Sequence, residues 1–128
     1  MTVPKRYVPL TVSVPAGTAI ANPTKTNPAL GDVWLYQVQV RIPSGHAGFT
    51  GLGIQDNGVS LVPWSPNTSW VVGDNDYFVF DVNTETDTGL AVLTYNTDVL
   101  VHGFYLRFVC APISAVAPPP TTQIVAVS

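Results

Sequence analysis

The longest alternating segment of the chain reads Val33-Trp34-Leu35-Tyr36-Gln37-Val38-Gln39-Val40-Arg41-Ile42-Pro43. Trp34, Tyr36, Val38, Val40 and Ile42 share one parity, whereas Gln37, Gln39 and Arg41 share the other. This period-two pattern is typical of a strand with one face in a core and one in water. About ten residues exceed the usual strand length of five or six, so we predict a central strand that crosses the whole domain.

The rest of the chain favours an all-β fold. Among 128 residues there are 10 glycines and 12 prolines, and 46% of the residues are hydrophobic. The prolines interrupt every stretch long enough for a helical bundle, and the hydrophobic content is too high for a disordered chain. Besides the central strand, apolar or alternating runs predict strands at 10–14, 49–55, 59–62, 69–72, 77–82, 90–95 and 102–110. We therefore predict a two-sheet antiparallel sandwich with jelly-roll-like connections.

Turn residues divide the chain further. The pair Asn57-Gly58 predicts a type I′ hairpin turn. Residues 15–31 and 83–89 are predicted to be loops, and Gly48, Gly51 and Gly53 are predicted to leave room for a neighbouring backbone or a bulge. The resulting organisation is an extended N-terminal arm over 1–9, a sandwich domain over 10–112 and a proline-rich C-terminal tail over 113–128.

The few charges are unevenly distributed. Residues 1–50 contain four basic residues and one acidic residue, whereas residues 51–100 contain seven acidic residues and no basic one. Without a basic stripe, nucleic acid is not expected as a partner. The basic N-terminal region either complements an acidic surface or is simply solvated. The sequence contains neither a signal-peptide pattern nor an apolar run of membrane-spanning length, so we expect synthesis in the host cytoplasm and no membrane partner.

Candidate catalytic and metal-binding residues are sparse. His46 and His102 have no nucleophile motif beside them, which favours hydrogen-bonded structural histidines. Cys110 is the single cysteine and is predicted to be a small buried residue. Four carboxylates resemble fragments of a calcium loop but lack its full pattern: Asp74, Asp76, Glu85 and Asp87. We therefore expect no enzyme activity, cofactor or metal.

Three aromatic residues leave two interpretations open. Trp64, Trp70 and Tyr77 lie in or near a predicted loop. They either cap the open end of the sandwich or are exposed, where they would stack on sugar rings or anchor a protein interface.

The C-terminal tail is predicted to connect subunits. Pro118, Pro119 and Pro120 favour an extended polyproline spacer. The segment after it, which includes Ile124, Val125 and Val127, is predicted to form a strand that pairs with an exposed sheet edge of a neighbouring copy. We therefore expect a homo-oligomer, a trimer, whose mass in solution falls when the chain is truncated after Pro112.

Four segments carry a resemblance to a known class of proteins. They are Arg41-Ile42-Pro43-Ser44-Gly45-His46-Ala47-Gly48-Phe49-Thr50-Gly51, Asp56-Asn57-Gly58, Thr94-Tyr95-Asn96-Thr97-Asp98 and His102-Gly103-Phe104-Tyr105-Leu106-Arg107-Phe108. In these segments the chain resembles small virion proteins of tailed bacteriophages, especially those of actinobacteria, several of which are capsid decoration (minor capsid) proteins. The resemblance covers residues 33–109 and implies a structural role without a reaction.

This resemblance leads to the functional expectation. The chain is expected to bind the major capsid protein on the outer surface of the expanded shell, at three-fold or quasi-three-fold positions, and to stabilise the virion. Lys5 and Arg6 are expected to make charged contacts, and Trp64 and Trp70 to act as apolar anchors. The alternative is a carbohydrate-binding or host-attachment module of a phage tail or fibre, with Trp64, Trp70 or Tyr77 in an exposed groove.

Overall fold

The structure, a computed structural model, describes residues 5–63 and 70–113. These residues form eight strands, and both long edges of the alternating central segment are paired. The strands are β1 (Arg6–Val14), β2 (Thr24–Thr26), β3 (Val33–Ile42), β4 (Thr50–Asp56), β5 (Val59–Val62), β6 (Asp76–Thr86), β7 (Leu90–Asn96) and β8 (His102–Pro112).

The strands form two four-stranded sheets with a jelly-roll topology. The first sheet has the order β1-β8-β3-β6 and the second has the order β2-β7-β4-β5. All of the paired strands are antiparallel. Apart from the β4–β5 hairpin and its two-residue turn, consecutive strands lie in different sheets, which is the double Greek key of an eight-stranded jelly roll. The predicted all-β, two-sheet sandwich is confirmed.

The core lies between the two sheets and is lined by alternate residues of the central strands. Phe104 and Phe108 of β8 are its largest fully buried side chains. Leu52 and Ile54 of β4 face them from the second sheet, and both are fully buried. The outward residues Tyr105 and Arg107 of β8 are exposed, so the predicted inward and outward faces of this strand are confirmed.

A bulge in β3 reverses the predicted orientation of its first two aromatic residues. Leu35 pairs with Cys110 of β8 and Gln37 with Val109, so Tyr36 is one extra residue on β3. Val33 and Leu35 point into the core before the bulge, whereas Val38, Val40 and Ile42 do so after it. The prediction that Trp34 and Tyr36 share the core face with Val38 is therefore wrong. An extra residue shifts the alternation by one, which moves both rings to the outer face.

Several strand boundaries also differ from the prediction. β1 begins at Arg6 rather than at residue 10, because residues 6–9 pair with residues 107–110 of β8. Its proline, Pro9, is tolerated because β1 is an edge strand. β6 continues to Thr86 through residues predicted to be a loop, and β2 was missed within the predicted loop 15–31. Residue 69 of the predicted strand 69–72 lies outside the described residues, and residues 70–72 form a single bridge, from Val71 to Leu52, instead of a strand.

Local turn chemistry agrees with the prediction more closely. Asn57 and Gly58 have φ values of 50° and 85°, as a type I′ turn requires, and they join β4 to β5. Gly51 faces the ring of Tyr95 and makes room for a side chain, whereas Gly53 lies next to both the ring of Trp70 and the backbone carbonyl of Val62.

Candidate functional site

The outer face of the first sheet concentrates exposed aromatic residues. Alternate residues of its four strands point away from the core, and they include four of the five tyrosines of the chain: Tyr7, Tyr36, Tyr77 and Tyr105. Tyr7, Tyr77 and Tyr105 are 59%, 58% and 51% exposed. We call this surface, together with Lys5, Arg41 and Arg107, the tyrosine face. The fifth tyrosine, Tyr95, is buried in the second sheet.

Strand register sets the spacing of this face. Thr11, Tyr105, Arg41 and Tyr77 form one row across β1, β8, β3 and β6. Neighbouring strands lie about 4.8 Å apart, so the two tyrosines stand about 10 Å apart with Arg41 between them. They line a shallow depression of about 280 Å³, which also includes Gln39 and Arg107.

Arg41 is held in place by hydrogen bonds to neutral acceptors. Its Nη1 donates to the carbonyl oxygens of Ile42 and Asp76 at 3.1 and 3.2 Å. Its Nη2 donates to the side-chain oxygen of Asn75 at 2.8 Å. All three acceptors are neutral, so the guanidinium is oriented by a fixed network while its positive charge stays available to a ligand.

A second depression of about 270 Å³ lies toward the start of β1. The Nζ of Lys5 lies 4.6 Å from the centroid of the Tyr36 ring, a cation–π contact. Gln39 donates to Gln37 at 3.0 Å, and Gln37 donates to Asp81 at 3.1 Å. Polar side chains that bond to one another in this way keep the surface between the tyrosines ordered.

The charges of the tyrosine face differ in balance from those of the rest of the chain. It carries three of the five basic residues, Lys5, Arg41 and Arg107, but only two of the eight acidic ones, Asp81 and Glu85. The face therefore has a small net positive charge on a protein whose net charge is −3. An acidic partner surface is electrostatically complementary to it.

No model of a known protein family matches this chain, and a search of curated proteins finds no significant match. The geometry of the described residues is therefore the basis for judging function. Within residues 5–63 and 70–113 there is no helix long and apolar enough to span a membrane.

Sequence reasoning identified parts of the tyrosine face. Lys5 and Tyr77 belong to it. Arg6 is exposed, but it is opposite Cys110 in β8 and has the parity of the core-facing residues of β1. Trp70 is half-buried, and its ring packs edge-on against Tyr95 at a centroid distance of 5.0 Å, so it caps the second sheet instead of joining Lys5.

Some predicted site residues lie outside the part of the chain that the structure describes. They are Trp64, Pro118, Pro119, Pro120, Ile124, Val125 and Val127. Conversely, sequence reasoning missed Tyr7, Arg41 and Tyr105 as parts of a site. The outward parity of Arg41 and Tyr105 was readable within their predicted strands, whereas Tyr7 lay in the predicted arm 1–9. The position of all three on one face depends on the strand order.

The two histidines form a structural cluster at the end of the sandwich. His46 is 1% exposed, and its Nε2 donates to the carbonyl oxygen of Gly103 at 3.0 Å. Its Nδ1 therefore accepts from the hydroxyl of Thr50 at 2.6 Å. Burial and the neighbouring His102, whose ring centroid is 4.5 Å away, lower the pKa of His46. With both nitrogens occupied, His46 has the hydrogen-bonded structural role expected from the sequence.

Carboxylates near this cluster stabilise loops. Asp98 bonds to Nε2 of His102 at 2.8 Å, and this hydrogen bond lowers the pKa of Asp98. Asp74 accepts from the backbone N–H of Gly45 at 2.7 Å, and the backbone hydrogen bonds from Ala47 and Gly45 lower its pKa. Among the described residues, no group of three or more His, Cys, Asp and Glu side chains is arranged to hold a metal ion.

Proposed function

We propose that this chain is a non-enzymatic capsid decoration protein of a tailed bacteriophage, which docks on the outer surface of the shell through the tyrosine face. The observation that carries the proposal is the combination of three exposed tyrosines with arginines on one rigid sheet. Tyrosine and arginine are enriched in protein interfaces and dominate their binding energy. The resemblance of residues 33–109 to phage virion proteins supplies the identity of the partner, the major capsid protein.

The shape of the site also supports a protein partner. The depressions on the tyrosine face are shallow and lie side by side across four strands, so they form a broad surface rather than a deep pocket. A ligand that binds only the assembled shell stabilises it by mass action. Each bound copy therefore adds stability to the virion without any chemical step.

Co-sedimentation with expanded, undecorated capsids of the parent phage tests the proposal. We expect saturable binding by the unchanged chain. Tyr77→Ala and Tyr105→Ala should each weaken it about tenfold or more, since truncating an interface hot spot costs about 2 kcal/mol. Phe49→Ala is the matched control, because Phe49 is 46% exposed but lies in the β3–β4 loop away from the face. The proposal would be overturned if the unchanged chain did not bind the capsids.

The second candidate function is carbohydrate binding at a tail or fibre. The observation that favours it is the row in which Tyr105 and Tyr77 flank Arg41, with Gln39 beside it. Aromatic faces stack on apolar faces of sugar rings, and amide and guanidinium groups bond to hydroxyls. Host cell walls in a parallel sedimentation decide between the two, because binding to walls alone would favour this function.

A further inference from the structure

β6 is an open edge of the first sheet. It bonds to β3 on one side, and within residues 5–63 and 70–113 no strand pairs with its other side. At 11 residues it is long for an edge strand, and no proline interrupts it. β1, the opposite edge, contains Pro9. Since unpaired N–H and C=O groups on a long edge are a template for another strand, β6 is the better acceptor of the two.

The side chains of β6 are incompletely covered as well. Phe78, Phe80 and Val82 point inward and pack against the core, yet all three are only half-buried. On the outer side Tyr77 and Val79 are exposed, Val79 by 48%. A strand placed beside β6 would bury apolar surface on both faces while it completed the backbone hydrogen bonds.

The chain also leaves the sandwich close to this edge. Val33 of β3 pairs with Thr86 of β6 on one side and with Pro112 of β8 on the other. The last residue of β8 therefore lies two strands, about 10 Å, from the end of β6. Fifteen residues follow Ile113, and an extended chain of that length spans about 50 Å. That reach is enough to leave one body and arrive at another.

We infer that the free edge of β6 accepts residues 123–127 of a second copy of this chain as an added strand. Their sequence, Gln-Ile-Val-Ala-Val, is rich in β-branched residues and contains no proline. The preceding run Pro118-Pro119-Pro120 favours a stiff, extended spacer that carries the segment away from its own body. The inference rests on the β6 edge and the tail rather than on which partner the tyrosine face binds, although the added strand would lie beside Tyr77 of that face.

Hydrogen exchange of the β6 amides tests the inference directly. Alternate residues of β6 direct their N–H groups to β3, so about half of its amides face the free edge. In the unchanged chain these amides should exchange about 100-fold more slowly than in the Ile124→Pro/Val125→Pro double variant, because one of two adjacent residues has to direct its N–H to β6 and proline removes that donor. Ala117→Pro is the matched control, since it lengthens the proline run without entering 123–127, and it should exchange like the unchanged chain.

A mixing experiment identifies which copy supplies the strand. Isotope-labelled Ile124→Pro/Val125→Pro chain is mixed with excess unlabelled, unchanged chain, and the free-edge amides of the labelled chain should regain slow exchange. Fast exchange of these amides in the unchanged chain would overturn the inference, because the edge would then be empty. Slow exchange that the unlabelled chain does not restore would overturn it too, because the tail would then pair with its own body.

Discussion

Replacing Gly51 with alanine tests how tightly the rings of Tyr95 and Trp70 pack on the second sheet. A methyl group at Gly51 would lie 2.7 Å from Cζ and 2.9 Å from Oη of Tyr95. Carbon atoms in contact prefer about 3.5 to 4.0 Å, so the ring of Tyr95 has to move. It is not free to do so, because Trp70 packs edge-on against it with an interplanar angle of 87°.

The change in the free energy of unfolding of the Gly51→Ala variant results from two opposing effects. Overpacking a well-packed site costs about 1 to 3 kcal/mol. Replacing a strand glycine with alanine recovers about 0.5 to 1 kcal/mol of backbone entropy. Gly51→Ala should therefore lower the free energy of unfolding by up to about 2.5 kcal/mol. At Gly53 the nearest atoms, of Trp70 and Val62, are 3.6 Å from an added methyl, so Gly53→Ala should leave stability unchanged or raise it by up to about 1 kcal/mol.

Urea unfolding followed by tryptophan fluorescence and circular dichroism measures both variants. Equal stability of the Gly51→Ala and Gly53→Ala chains would refute the reasoning, because it predicts a difference set by the position of the Tyr95 ring. A second comparison isolates the cause. In a Tyr95→Leu background, where the ring is absent, Gly51→Ala should no longer be destabilising.

Two further predictions concern charge. Because folding lowers the pKa of His46, unfolding at low pH takes up a proton. The contribution of His46 to the free energy of unfolding should therefore be fully present above the ordinary pKa of 6.5 and should be lost as the pH falls below it, by at most about 1.4 kcal/mol per pH unit. Urea unfolding between about pH 7.5 and 5 should show a shallower fall for His46→Gln, and equal slopes would contradict the assignment. Arg107→Glu should weaken capsid binding about tenfold and reduce its salt dependence, whereas Lys25→Glu, an exposed reversal on β2, should not; equal effects in co-sedimentation would exclude charge selection by the tyrosine face.

Much of the fold was predictable from local patterns. Alternation placed most of the strands, and the inward and outward faces of β8 followed from parity alone because that strand runs without a reversal from His102 to Phe108. The Asn57-Gly58 turn was readable because two adjacent positive φ values favour those residue types. Alternation failed in β3, where the extra residue Tyr36 shifts the pattern. A bulge changes the register with partner strands, and local sequence does not contain that register.

The candidate site depended on tertiary structure. The sequence by itself determined an all-β chain with few charges, glycine turns and polar outward positions on its strands. Strand order then placed Tyr7, Tyr77 and Tyr105, which are far apart along the chain, on one face together with Arg41 and Arg107. It also packed the buried ring of His46 against that of His102, which lies 56 residues later in the sequence. Each strand specifies which side chains share a face, but only long-range pairing in the jelly roll decides which strands become neighbours.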